Sequence, residues 1–402
     1  MSEKLTVKNV VNINKSTLSA KDNWSTLKYL DTGNITENQI DTLQIFQKGE
    51  KLPSRAKRKV EKGTIIYSTV RPNQKHFGYF DTHSNDLVVS TGFATLDVID
   101  PRINSKYLYY LLTQNSVISQ LQSIGENSTS SYPSIRPEDI GNLSFVFPDI
   151  DIQNKIADIL TSIDKKIQIN NQINQELEAM AKTLYDYWFV QFDFPDQNGN
   201  PYKSSGGKMV YHPELKREIP EGWGVAKLGD ITICHDSKRV PLSSHEREHV
   251  KGEIPYYGAT GIMDYVNDYI FDGDYVLMAE DGSVMTEKGT PILQRISGKN
   301  WVNNHAHVIE PVKNHSCKLL MMLLKDVSVM KIKTGSIQMK INQENMNKIV
   351  VPAIPLELLF EINQRLEVID KQQLNLIEEN KQLTQLRDWI LPMLMNGQVK
   401  VE

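Results

Sequence analysis

Apolar positions recur along this chain with two periods, and the longer one sets the layout. From Asp151 to Trp188 a stripe at Ile156, Leu160, Ile163, Ile167, Asn170, Asn174, Leu177, Ala181 and Leu184 steps by fours and threes, the seam of a coiled coil. The frame returns 206 positions later, from Leu356 to Leu394, at Ile362, Leu366, Ile369, Gln373, Leu376, Asn380, Leu383, Arg387 and Ile390. Ile156-Leu160-Ile163-Asp164-Lys165 recurs as Ile362-Leu366-Ile369-Asp370-Lys371, so the copies match in register. At about 1.5 Å per residue each makes a rod of roughly 57 Å. The nearest complement to an exposed seam is its own copy, so the helices are expected to pair antiparallel. Asn174 and Asn380 are the expected register-setting polar pair.

Period-two or short apolar runs fill the remainder. Val7 to Ile13, Thr64 to Val70, Asp86 to Ser90 and Phe93 to Ile99 read as strands. Asn104 to Leu121 reads as one helix, Ser134 to Asp139 begins a short one, and Leu143 to Phe147 is a strand closed by Pro148. After the first rod, residues 191–222 are rich in Gly, Pro, Ser and Asn without period, which marks a linker, ordered at its aromatic and proline points but not a core. Trp223 to Val351 repeats the first layout. Gly273 to Met278 answers Gly63 to Ser68, Asn303 to Val308 answers Thr91 to Leu96, Lys318 to Leu324 answers Asn104 to Leu112, and Ile341 to Met346 answers Ile135 to Ile140.

The expected fold is α+β, with two mixed α/β globular domains, two long helices in an antiparallel coiled coil, and a pseudo-twofold internal repeat. Its parts are 1–150, 151–190, 191–222, 223–353 and 354–402, in the order globular domain, helix, linker, globular domain, helix with tail.

Composition adds limits. The 402 residues are 40% hydrophobic and 23% charged, as in ordinary globular proteins. The start shows no signal peptide, and the most apolar run, Leu319 to Leu324, is too short to span a bilayer, so no membrane role is expected. Two cysteines, Cys234 and Cys317, suit a reducing cytoplasm. The net charge of -4 is awkward for a chain holding nucleic acid alone. Between Gln47 and Lys75, however, nine lysines and arginines face only Glu50 and Glu61.

Catalytic motifs are weak. His245-Glu246-Arg247-Glu248-His249 matches H-E-x-x-H, but Pro255 stands where a third metzincin ligand belongs and no apolar face flanks it, so a solvated loop is expected and not a zinc peptidase. His305 and His307 alternate on one presumed strand with no Cys or carboxylate at ligand spacing, and read as satisfied histidines at a domain surface. Gly206-Gly207-Lys208 lacks the remainder of a phosphate loop, and no methyltransferase tetrapeptide or nuclease motif is present. The chain is expected to be non-catalytic and to bind neither metal nor cofactor.

Recognition remains. Candidate DNA-binding side chains in the first domain are Lys57, Arg58, Arg71, Asn73, Gln74, Lys75, His76, Ser128, Ser130 and Tyr132. In the second they are Ser283, Asn303, Asn304, His305, Ser336 and Gln338. Parallel scaffolds with differing loops are what two sequence-specific modules would use. The second domain lacks an equally basic run, and Asp268, Asp272, Asp274, Glu280 and Asp281 cluster there.

The whole chain resembles the specificity subunits of type I restriction-modification systems. The resemblance is carried by TGNI at 32–35, GTIIYSTVRP at 63–72, TGFATL at 91–96, FDFPDQNGNPYKSSGGKMVYHPELKREIPEGWGVAKLGDI at 192–231, VNNHAHV at 302–308 and LPMLMNGQVKV at 391–401. It implies two target-recognition domains that read the halves of a bipartite double-stranded DNA target, with helices that set the spacing. It also implies two methyltransferase subunits, which hold S-adenosylmethionine for adenine methylation, and motor-nuclease subunits for restriction. A coiled-coil scaffold with no nucleic-acid role is the alternative.

Overall fold

The computed structural model describes residues 4–19, 21–82, 86–128, 131–335, 339–399 and 401. It divides the chain into two units, Met1–Asn170 with Glu379–Glu402, and Asn171–Glu378, so each long helix contributes to both. The first helix runs Ile150–Tyr185 and continues as a π-helical turn at Asp186–Val190; the second runs Leu356–Met395. All the expected seam positions are buried or half-buried. Within the first unit the helices are antiparallel, with Asp164 facing Arg387 at 3.1 Å and Asn170 facing Asn380 at 2.9 Å. Within the second, the Gln373 amide donates to the Asn174 carbonyl at 3.2 Å. The expected pairing of Asn174 with Asn380 is therefore corrected. Asn380 meets Asn170, because in an antiparallel pair a residue faces its own repeat only at the crossing point. The Asn174 Oδ1 is buried without a partner.

Each unit builds its globular part on the same two four-stranded sheets. In the first unit one sheet orders strands Val11–Ile13, Phe93–Val98, Ile65–Ser68 and Phe77–Tyr79. The second unit has Thr232–Cys234, Ala306–Pro311, Tyr275–Ala279 and Leu293–Ile296 in that order. The other sheet contains one parallel pair in each unit, Thr26–Leu30 with Leu87–Ser90 and Lys251–Tyr257 with Lys299–Val302. The ladder corrects the expected alignment by one residue. Phe93 pairs with Ser68 and Ala306 with Ala279, so Ala279, not Met278, is the equivalent of Ser68. Such a slip exchanges the faces of a strand.

Several expected elements differ. Val7 to Ile13 is not one strand, since Val7–Val10 makes a helical turn before Val11–Ile13. Asn104 to Leu121 is two helices, Ser105–Leu112 and Asn115–Glu126. The Asn104 side chain caps the first, accepting from Lys106 and Tyr107. At its end the Thr113 hydroxyl and the Gln114 amide bond the carbonyls of Tyr110 and Leu111, which competes with continuation. The stretch at 191–222, expected to be ordered at its aromatic and proline points, is packed there. Phe192, Phe194 and Ile219 join Trp188 and Phe189 in the second unit's core, and Met209–His212 pairs with Arg217–Pro220. Aromatic side chains bury about 150 to 250 Å² each, so a few suffice where no period exists.

Candidate nucleic-acid interface

In the first unit, strand Ile65–Ser68 runs into a loop that is sewn to a second one. Val70 bridges Ser134, the Arg71 amide donates to the Pro133 carbonyl at 2.9 Å, and the Ile135 amide donates to the Thr69 carbonyl at 2.8 Å. Arg71 and Lys75 both adopt left-handed conformations, φ 47° and 56°, on either side of a 3-10 turn at Pro72–Gln74. Strain of this kind persists only where surrounding contacts over-determine it. The Arg71 guanidinium lies 5.8 Å from the Tyr132 ring centroid, a cation–π arrangement that orders an exposed cation. The Asn73 amide donates to the Gln122 side chain at 3.2 Å.

This geometry sorts the sequence candidates. Arg71, Asn73, Gln74 and Tyr132 are exposed on the joined loops. Lys75 and His76 turn toward the hairpin at 35–40, where Lys75 pairs with Glu37 at 2.6 Å and the His76 ring meets the Ile35 carbonyl at 2.5 Å. Lys57 and Arg58 lie on strand Ala56–Lys59 of the other sheet; Lys57 is exposed, and Arg58 is half-buried with its Nε unpartnered. Ser128 is half-buried, and Ser130 lies outside the described residues. The basic segment is less of a free positive patch than its composition suggested, because Lys59 and Lys75 are tied to Asp22 and Glu37.

The second unit has the same backbone and different chemistry. Asp281–Gly282 pairs with Met339–Lys340, and the Ile341 amide donates to the Glu280 carbonyl at 2.8 Å, as Ile135 does to Thr69. Gly282, φ 75°, stands where Arg71 stands and brings no side chain. The Glu280 amide donates to the His305 carbonyl as the Thr69 amide donates to that of Gly92, so His305 is the counterpart of Gly92. His305 is exposed, and its Nδ1 meets Asp281 at 2.5 Å.

Ser283 and Asn304 are exposed, whereas Ser336 and Gln338 lie outside the described residues. Asn303 is buried. Its Oδ1 accepts from the His305 amide at 2.8 Å, so it shapes the turn and does not reach outward. Several of the acidic residues are taken up by local partners. Glu280 is paired with Arg239 at 2.7 Å and Lys340 at 3.0 Å, Asp274 with Arg295 at 3.4 Å, and the Asp268 carboxylate accepts from the Tyr269 amide.

His307, expected at a surface beside His305, is fully buried. Its Nε2 meets the Ile341 carbonyl at 2.8 Å and its Nδ1 meets Asp236 at 2.5 Å. Folding thus brings it the carboxylate and, through Cys234, the thiol that spacing in sequence did not offer. Two ligands of one tetrahedral zinc ion stand about 3.3 Å apart, so the His307–Asp236 contact is a hydrogen bond and not a ligand pair. Burial pushes the Asp236 carboxyl up, but His307 and the Val308 amide hold it below its usual range. Burial raises the Cys234 thiol to about 12, which makes it a poor nucleophile at neutral pH.

The H-E-x-x-H segment, expected as a loop, is a six-residue helix, Ser244–His249, exposed or half-buried throughout. Its Glu246 serves the cap. The Ser243 amide donates to the Glu246 carboxylate at 2.7 Å, and the Glu246 amide donates to Ser243 Oγ at 3.3 Å.

Two scaffold-sharing domains with different loop chemistry define a class of two-module recognition proteins. A family model, type I restriction modification DNA specificity domain, matches residues 2–179 and 220–385, and the chain belongs to that family. It is 25% identical to the type I restriction enzyme HindI specificity subunit of Haemophilus influenzae over 92% of this chain and 94% of that one. It is 26% identical to the MjaIX specificity subunit of Methanocaldococcus jannaschii, over 93% and 84%. The type I restriction-modification S subunit from M. genitalium shares the fold at a TM-score of 0.52 and 16% identity, covering 98% of this chain and 95% of that one. The zinc-peptidase and bare-scaffold alternatives gain no support. Among the described residues no helix is long and apolar enough to cross a membrane.

Proposed function

We propose that this chain is the DNA-recognition subunit of a type I restriction-modification complex, with residues 1–150 and 223–353 each reading half of a bipartite double-stranded target. The observation that carries this is the substitution of chemistry on one backbone. Arg71 and Gly92 in the first domain correspond to Gly282 and His305 in the second, with the main-chain bonds around them retained. An arginine can grip guanine by two bonds, whereas a histidine fixed at Nδ1 offers one ring nitrogen to a base edge or phosphate.

The chain itself carries no reaction. Adenine methylation belongs to two methyltransferase subunits that hold S-adenosylmethionine, and cleavage to motor-nuclease subunits, all in the cytoplasm. Exposed apolar residues beside the helical seam support protein partners: Ile152 and Ile159 in the first unit, and Ile173 and Met180 in the second, spaced by sevens. Partners that clamp the duplex also answer the net charge of -4. The test is to sequence modified adenines in cells with and without this gene, its methyltransferase partner present. A split motif modified only with the gene is expected; identical modification in both refutes the reading.

A further inference from the structure

One aspartate recurs in each long helix, in Ile163-Asp164-Lys165 and Ile369-Asp370-Lys371, just outside the seam. Both are taken up by strong donors within their own unit. The Tyr110 hydroxyl donates to Asp164 Oδ2 at 2.6 Å, and Arg387 Nη1 donates to Oδ1 at 3.1 Å. Asp370 is paired with Arg295. Tyr110 lies on helix Ser105–Leu112 and Arg295 on strand Leu293–Ile296, so a globular domain supplies a donor in each case. The donors are unrelated in type and place, and the repeat retains only the acceptor.

Apolar packing lets a domain slide on a helix at little cost, whereas charge-assisted hydrogen bonds demand one direction and distance. The Asp370 and Arg295 side chains are each 17% exposed, which shields the pair from the screening that weakens surface pairs. In the first unit the tie continues to the reading loop. Arg387 lies 3.7 Å from Glu37, which pairs with Lys75, and the Glu37 amide donates to the Lys75 carbonyl at 2.9 Å.

We propose that Asp164 and Asp370 are positioning residues that lock each reading domain to its long helices at one angle, and so restrict the spacer length accepted between the half-sites. The inference rests on the DNA-recognition reading above. Asp164→Asn and Asp370→Asn, each assembled with the methyltransferase partner, are to be assayed on targets whose spacer is lengthened or shortened by one base pair, and on targets with one base changed in either half. Preference for the native spacer is expected to fall about tenfold, the equivalent of one lost charged hydrogen bond, while half-site discrimination stays within about twofold. Where Asp370→Asn fails to assemble, Arg295→Lys carries the same expectation. Unchanged spacer preference overturns the inference, as does joint loss of spacer and half-site discrimination, which would mark a merely structural role. A wild-type complex with no bipartite target would overturn the functional reading itself, and is recognised because it needs no substitution.

Discussion

The Asn170 side-chain amide donates to the Asn380 side-chain oxygen at 2.9 Å, joining seam residues 210 positions apart. The same amide reaches Glu379 at 2.8 Å. A polar contact between two seam positions favours one register because a slip breaks its hydrogen bonds.

Asn170→Leu is accordingly expected to cost about 1 kcal/mol by removing the amide that donates to both Asn380 and Glu379. Adding Asn380→Leu should recover part of it, since the acceptor that lost its donor is then removed. Unfolding midpoints of the two single variants and the double variant measure the coupling; additive losses would show the pair to be unlinked.

Arg71→Ala should weaken DNA binding by the partner complex and reduce the slope of log affinity against log salt by about one if the contact is to phosphate. With a base contact, discrimination at one target position falls instead, by about 1 to 3 kcal/mol. Tyr132→Ala should have a smaller effect, about 0.5 to 1 kcal/mol, by releasing the guanidinium. Binding titrations at two salt concentrations check both; unchanged affinity and slope for Arg71→Ala would remove this loop from the interface.

Acid should destabilise the second unit in a defined window. Asp236 and Glu280 are pushed up by burial yet held net below their ordinary 3.8 and 4.5 by His307 and by Arg239 with Lys340, respectively. Carboxylates depressed in the folded state add stability above their unfolded pKa and lose it as pH falls through the folded value. Melting temperature should therefore hold down to about pH 5 and drop below about pH 4. Asp236→Asn should lower it at neutral pH and flatten the acid limb. An unaltered limb would assign the acid loss to other groups.

Glu246→Ala should lower local helix stability through loss of the capping box. His245→Ala and His249→Ala should lie within about 0.5 kcal/mol of wild type, as exposed substitutions do. Stoichiometric zinc that disappears in the histidine variants would reinstate the metal reading.

The long helices were legible in the sequence because a seam repeating over nine positions is a local signal that few folds mimic. Paired sheets within each globular part were half legible. Strands such as Ile65–Ser68 and Phe93–Val98 stood out as apolar runs, while Thr26–Leu30 and Lys251–Tyr257, with mixed polar content, did not. The candidate loops were legible in the sequence, but the placement of their side chains was not. Asn303 and His307 looked like their neighbours Asn304 and His305, yet are buried, and Lys75 looked like Arg71 yet is tied to Glu37.

By itself the sequence determined the repeat, its period and the family, since these depend on residues near one another in the chain. Tertiary structure alone decided which asparagine faces which, that Gly282 takes the place of Arg71, and that Tyr110 and Arg295 meet Asp164 and Asp370. Those facts depend on strand register and helix direction, where a shift of one residue changes every partner, and no local pattern encodes them.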